Sequence, residues 1–132
     1  VKRLIKGSFI KEIFDEDGTK IKVGFISVCI PSNPKDYVLY KDMFSAIVKE
    51  YESIKNKVDI VIGLTHVKIE HDREIAKLLP NIPLIMGGHE HTNKNEMIGN
   101  VRITKADANA KTAYIHRINS IKKIKTLSFL PN

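Results

Sequence analysis

Cysteine is nearly absent from this sequence of 132 residues, which contains only Cys29, and tryptophan is missing altogether. A single cysteine excludes an internal disulfide framework and a zinc knuckle built from cysteines. No apolar run approaches the roughly 18 residues that a transmembrane helix requires. The start of the chain shows no long apolar stretch typical of a signal peptide. The first residue is Val1 rather than Met, so we expect a piece of a longer protein.

The composition is that of a folded domain. Hydrophobic residues make up 42% of the sequence and charged residues 28%, which excludes a disordered chain. The length predicts a single unit over residues 1–132, whose ends, 1–7 and 121–132, are the least defined. Cys29 lies in an apolar, strand-like run, which predicts a buried structural thiol rather than a nucleophile.

The formal net charge is +7, because 22 lysines and arginines face 15 aspartates and glutamates. A basic balance can indicate a nucleic acid or an anionic substrate. However, no aromatic residues alternate with the basic ones to form a stacking platform for bases. We therefore expect a solvated, lysine-rich surface and no binding of a nucleic acid polymer.

The first part of the chain predicts a hairpin followed by a helix. Residues 8–14 and 20–29 are typical of strands, and Asp17-Gly18 between them is a hairpin turn signal. Apolar residues recur at spacings of three and four over residues 36–56, which predicts a helix with Asp36 as its N-cap.

The middle of the chain predicts two parallel crossovers. Residues 58–64 and 82–86 are short, nearly unbroken apolar runs, as in strands covered on both faces. A shorter helix is predicted between them, over residues 70–79. Consecutive strand–helix–strand units imply right-handed connections. The predicted fold class is therefore α/β with a mainly parallel sheet.

Antiparallel strands are predicted towards the C-terminus. Residues 96–98 and 101–106 flank Gly99-Asn100, a second hairpin turn signal. Apolar and polar residues alternate over residues 112–120, which predicts a further strand.

Three histidines directly follow the two buried strands. His66 follows the first strand, and His89 and His91 follow the second. In open α/β sheets, ligands bind beyond the carboxyl ends of the strands, and strands joined by one helix are usually neighbours. The three imidazoles should therefore converge on one edge of the sheet, where they would form a metal site.

A histidine after a strand is more often a surface or capping residue than a ligand. His66 alone, or the pair His89 and His91 alone, would not indicate a metal site. Their matched placement after two neighbouring buried strands favours one. His71 in the second helix and His116 in the last strand are interpreted as structural or exposed.

These motifs resemble a known family. Gly63-Leu64-Thr65-His66 and Gly87-Gly88-His89-Glu90-His91 are similar to motifs of the calcineurin-like metallophosphoesterases, in the branch of bifunctional metallophosphatase/5′-nucleotidase proteins. Residues 20–28 and 105–117 resemble strands on either side of these motifs. The resemblance covers residues 8–120 and implies part of an α/β/β/α sandwich.

The resemblance also implies a chemistry. Two divalent metals, zinc, manganese, iron or magnesium, would be bridged by an aspartate; His66 and His89 would bind one metal and His91 the other. Such a pair binds a phosphate ester, here of a nucleotide or related compound, and activates water for attack on phosphorus. A periplasmic or cell-surface location is implied by resemblance only.

Several motifs of the family are missing from these 132 residues. The sequence contains no Asp-x-His, no Gly-Asp and no Gly-Asn-His. We therefore expect the C-terminal half of a catalytic domain, with no catalytic residue of its own, inactive alone and self-associating through the surface its other half would cover. The alternative is a stand-alone, non-catalytic metal-binding module.

Overall fold

This computed structural model describes residues 6–119 of the chain. These residues fold into six strands and two helices, joined by loops. The elements are β1 (Ser8–Phe14), β2 (Lys20–Cys29), α1 (Met43–Ile54), β3 (Ile60–His66), α2 (Ile69–Leu78), β4 (Leu84–Gly87), β5 (Lys94–Ile98) and β6 (Val101–Lys105). The strands form one sheet in the order β1-β2-β3-β4-β6-β5. The predicted α/β class is confirmed.

The sheet has a parallel centre and an antiparallel hairpin at each end. The pairs β2–β3, β3–β4 and β4–β6 are parallel, whereas β1–β2 and β5–β6 are antiparallel. Both predicted turns are confirmed, since Gly18 has a φ of 82° and Gly99 a φ of 58°. Glycine adopts this left-handed region without the steric cost that a Cβ would add.

The first helix is shorter than predicted. The prediction of a helix over residues 36–56 capped by Asp36 was wrong at its start, because α1 begins at Met43. Asp42 is the N-cap, and its carboxylate accepts a hydrogen bond of 2.7 Å from the backbone N–H of Ser45. This bond satisfies a backbone donor that the first turn leaves free, and so it sets the start of the helix.

Burial explains why the helix does not extend further back. Ile47 and Ile54 of α1 are buried against the sheet, whereas Tyr37 and Leu39 are 84% and 88% exposed. Apolar spacing stabilises a helix only where the apolar face meets a partner. The segment before Met43 has no such partner within residues 6–119, so its helical spacing has no effect.

The strand predicted over residues 112–120 does not form in residues 112–119. Residue 120 lies outside the described residues, and so do the predicted uncertain ends, 1–5 and 121–132. The segment is attached by side chains: Tyr114 donates a 2.6 Å hydrogen bond to Asn93, and His116 Nε2 lies 3.1 Å from Thr104 Oγ1. A strand needs a neighbouring backbone to pair with. Within the described residues, this segment has none.

Both helices lie on one face of the sheet. The core between them and the strands consists of buried aliphatic side chains, among them Ile26, Ile47, Ile75, Ile85 and Ile103. The opposite face, which neither α1 nor α2 covers, holds a smaller cluster of buried apolar side chains, Val23, Ile62 and Leu84. We call this second surface the open face. No helix among residues 6–119 is long and apolar enough to cross a bilayer.

We expect the chain to self-associate through the open face at micromolar concentration. Leu64 on this face is 39% exposed, and Phe25 and Met86 beside it are only partly buried. Exposed apolar patches favour association because pairing removes them from water. Sedimentation velocity should therefore show a dimer or larger species.

A lysine at Leu64 should shift that equilibrium to the monomer, because it places a charge in the contact. Leu78→Lys is the matched control, since Leu78 is also exposed but lies on α2, on the other side of the sheet. A wild-type chain that sediments as a monomer would contradict the prediction and favour the stand-alone module.

Candidate metal centre

Two of the three predicted histidines meet at the carboxyl edge of the sheet. His66 is the last residue of β3, and His89 lies in the loop that follows β4. The N–H of Gly88 donates a 2.9 Å hydrogen bond to the carbonyl of Thr65, so this loop begins against the end of β3. The imidazoles of His66 and His89 contact each other edge to face, with ring centroids 5.4 Å apart.

The glycines before His89 leave room for this contact. A Cβ on Gly88 would lie 3.2 Å from Nδ1 of His66, and a Cβ on Gly87 would lie 2.9 Å from Cε of Lys105. Both distances are shorter than ordinary van der Waals contact. A larger residue at either position would therefore require the side chain of His66 or of Lys105 to shift.

The loop after β4 holds an unfavourable backbone conformation at both of its histidines. His89 has a φ of 91° and His91 a φ of 60°. Positive φ is uncommon for residues with a Cβ and costs roughly 1–3 kcal/mol. Such strain persists only where the surrounding contacts impose it, and it clusters at functional sites.

His91 does not join the other two histidines in this structure. Its side chain is exposed, and its backbone carbonyl accepts a 3.2 Å hydrogen bond from Ala108. Across residues 6–119, no group of three or more histidine, cysteine, aspartate or glutamate side chains is arranged to hold a metal ion. The structure therefore assembles a pair of imidazoles rather than a set of three.

The chemistry of this pair fits one side of a metal centre. Neutral imidazole is a ligand for zinc and other divalent transition metals, and Zn²⁺ usually takes four ligands, three or more of them from the protein. Two imidazoles in contact can share one ion but cannot complete its coordination. Further ligands would have to come from groups that residues 6–119 do not bring to this place.

A buried ionic cluster lies beneath the two histidine loops, and sequence reasoning missed it. Lys105 of β6 is 1% exposed, and Asp72 of α2 is completely buried. The ammonium of Lys105 lies 2.8 Å from Asp72 Oδ2 and 2.5 Å from Glu90 Oε2. It also donates hydrogen bonds to two backbone carbonyls, those of Val67 and Gly88.

The environment changes the acidity of both carboxylates. Burial raises the pKa of Asp72, although Lys105 and a 2.7 Å hydrogen bond from Thr65 Oγ1 oppose the rise. Burial also acts to raise the pKa of Glu90, but hydrogen bonds from Lys105 and from the N–H of Ile69 outweigh it and hold that pKa below its usual value. Glu90 therefore stays ionised beside the ammonium.

A periodicity signal could have found this cluster. Lys105 follows Val101 and Ile103 at spacings of two, so it occupies an inward-facing position of β6. Asp72 is three residues from both Ile69 and Ile75 on the buried face of α2. A charged residue at an inward position of an amphipathic element indicates a buried ion pair.

The predicted burial of Cys29 was wrong, because its thiol is exposed. Cys29 is the last residue of β2 and is aligned with His66. By strand alternation it lies on the same face as Val23 and Phe25, the face of the sheet that carries neither helix. The remaining two histidines have structural contacts: His71 packs against Phe44, and His116 stacks on Tyr114.

The relatives of this chain include a nucleotide phosphoesterase and 5′-nucleotidases. The trifunctional nucleotide phosphoesterase protein YfkN of Bacillus subtilis is 33% identical over 95 residues, which cover 67% of this chain and 6% of that protein. A 5′-nucleotidase of Diplobatis ommata is 31% identical over 84 residues, covering 61% of this chain and 15% of that protein. No family model matches.

The fold agrees with these sequence relationships. The crystal structure of the calcineurin-like phosphoesterase YfkN from Bacillus subtilis superposes with a TM-score of 0.63 at 19% identity, over 78% of this chain and 42% of that one. At this identity the likeness shows the fold alone. The resemblance to calcineurin-like phosphoesterases and 5′-nucleotidases is thus confirmed, and the chain spans only a small part of these curated relatives.

Proposed function

We propose that this chain, as a relative of nucleotide phosphoesterases with the calcineurin-like fold, is part of a metal-dependent hydrolase of nucleotides or related phosphate esters. The observation that carries the proposal is the contact between the imidazoles of His66 and His89 at the ends of two parallel strands. The proposal includes that residues 1–132 are the C-terminal half of the catalytic domain. The chain by itself is then expected to be inactive.

Each histidine has a distinct role in this proposal. His66 and His89 would bind one divalent metal ion, and His91 would bind a second one. Bound metals of this kind polarise a phosphate ester and lower the pKa of a water molecule that attacks phosphorus. The protein's own part is to present the two imidazoles from fixed positions, His66 from the end of β3 and His89 from a strained loop against it.

The stand-alone metal-binding module is less well supported. A site of that kind needs three or four protein ligands in one place. In residues 6–119 only two imidazoles meet, and no larger group of suitable side chains accompanies them. Nucleotide substrates are supported by the names of the relatives. The periplasmic or cell-surface location stays a prediction.

Zinc binding by the purified 132-residue chain tests the proposal. We expect His66→Ala and His89→Ala each to weaken Zn²⁺ binding at least tenfold in isothermal titration calorimetry, because each removes one of two ligands to the same ion. His91→Ala should have a smaller effect, since His91 lies apart from the pair.

His116→Ala is the matched control, because His116 contacts Thr104 and Tyr114 instead of the candidate centre. It should bind zinc like the wild type. Equal losses in the His116 and His89 variants would mean that zinc binds histidines unspecifically, and the proposed assignment would then be wrong.

A further inference from the structure

The ammonium of Lys105 joins the two loops that carry the paired histidines. One of its hydrogen bonds, 2.5 Å long, goes to the carbonyl of Val67, the residue directly after His66. A second, 2.9 Å long, goes to the carbonyl of Gly88, the residue directly before His89. A single buried cation therefore contacts the backbone next to each imidazole.

The remaining contacts of this ammonium involve both carboxylates of the cluster. Its third hydrogen bond goes to Glu90, the residue directly after His89. A lysine has three N–H donors, so these three bonds use all of them. The fourth contact, with Asp72 Oδ2 at 2.8 Å, is an ion pair.

Glu90 extends the connection to the helix that follows His66. Its second carboxylate oxygen, Oε1, accepts a hydrogen bond from the backbone N–H of Ile69, the first residue of α2. Glu90 thus contacts both Lys105 and the start of α2. The strained backbone of His89 lies between Gly88 and Glu90, two residues that Lys105 contacts directly.

We propose that Lys105 is a positioning residue, which holds the loops of His66 and His89 together so that their imidazoles meet. This inference rests on the proposed function, because it concerns the same pair of histidines. In this role the ammonium of Lys105 resembles a bound metal ion, because it binds carbonyl and carboxylate oxygens from separate segments of the chain.

The geometry distinguishes this role from a simple contribution to stability. A buried ion pair is a weak source of stability, because desolvation of the two charges offsets much of their attraction. Two of the three hydrogen bonds of Lys105 go to carbonyls flanking His66 and His89. Removal of the ammonium should therefore release these loops more than it changes the rest of the sheet.

The test uses Lys105→Met, which keeps most of the side-chain volume and removes the charge. The double variant Lys105→Met/Asp72→Asn keeps the test possible if the single variant fails to fold. It also removes the completely buried carboxylate of Asp72, so that no fully buried charge is left unpaired. Lys94→Met is the matched control, because Lys94 lies opposite Lys105 in the β5–β6 pair and its ammonium is not part of the cluster.

Three measurements are made on the 132-residue chain: the NMR contact between the His66 and His89 rings, amide exchange, and Zn²⁺ affinity. In the double variant we expect the ring contact to vanish. Amide exchange should rise at least tenfold at Gly88 and Ile69 but not at Ile103 in the sheet. Zinc affinity should fall at least tenfold. The control should match the wild type in all three.

The outcomes separate this inference from the proposed function. An unchanged ring contact and unchanged exchange at Gly88 in the folded double variant would overturn the positioning role. Equal exchange increases at Gly88 and at Ile103 would also overturn it, since they would show a general loss of stability. A wild-type chain that binds no zinc would overturn the proposed metal site, while the ring contact and exchange would still decide the role of Lys105.

Discussion

Replacement of Asp72 by alanine is expected to lower the free energy of unfolding by about 3–5 kcal/mol. Asp72 is completely buried, lies 2.8 Å from the ammonium of Lys105 and accepts a 2.7 Å hydrogen bond from Thr65. Its loss leaves the buried ammonium with one carboxylate fewer and the hydroxyl of Thr65 without its acceptor. Urea denaturation followed by circular dichroism measures the change.

Glu74→Ala provides the control on the same helix. Glu74 forms an ion pair of 2.6 Å with Lys77, but both side chains are more than half exposed. Exposed pairs contribute about 0–1 kcal/mol, because water screens the charges and the side chains lose entropy when they pair. If the two variants lost equal stability, the cluster around Lys105 would not be buried in solution as it is in this structure.

The second large effect is expected for Ile85→Ala, which should cost about 2–5 kcal/mol of unfolding free energy. Ile85 of β4 is completely buried under the helices and lies against Gly63 of β3, where a Cβ would be 3.2 Å from its Cγ1. The substitution removes apolar contacts and leaves a cavity that the close-packed strands cannot fill.

Ile115→Ala makes the same chemical change at an exposed position. Ile115 is 87% exposed, in the segment that follows β6. Its substitution should alter the unfolding free energy by less than about 0.5 kcal/mol. A loss below 1 kcal/mol at Ile85, measured in the same way, would contradict the packing of the helices on this face of the sheet.

The strands and turns were largely predictable because their signals are local. Asp17-Gly18 and Gly99-Asn100 required a left-handed glycine, and both hairpins form as predicted. The apolar runs at 58–64 and 82–86 became β3 (Ile60–His66) and β4 (Leu84–Gly87), shifted by about two residues. Element boundaries depend on where hydrogen bonding ends, which apolar patterns do not record.

The candidate centre was predictable in part for the same reason. Parallel strands place their carboxyl ends at one edge, so His66 and His89 follow from strand order alone. The exposed position of His91, outside any group of three potential ligands in residues 6–119, does not follow from strand order. The exposure of Cys29 was also missed, since an apolar run does not show which face of its strand the helices cover.

The sequence by itself determined the order of strands and helices, both hairpin turns, and the two segments that carry the paired histidines. Each of these depends on residues close together in the chain. Only the tertiary structure decided that α1 begins at Met43, that residues 112–119 have no strand partner, and that Lys105 is buried between two carboxylates. These features depend on which distant segments come together, and the free energy of burying or pairing a group exists only once its partners are in place.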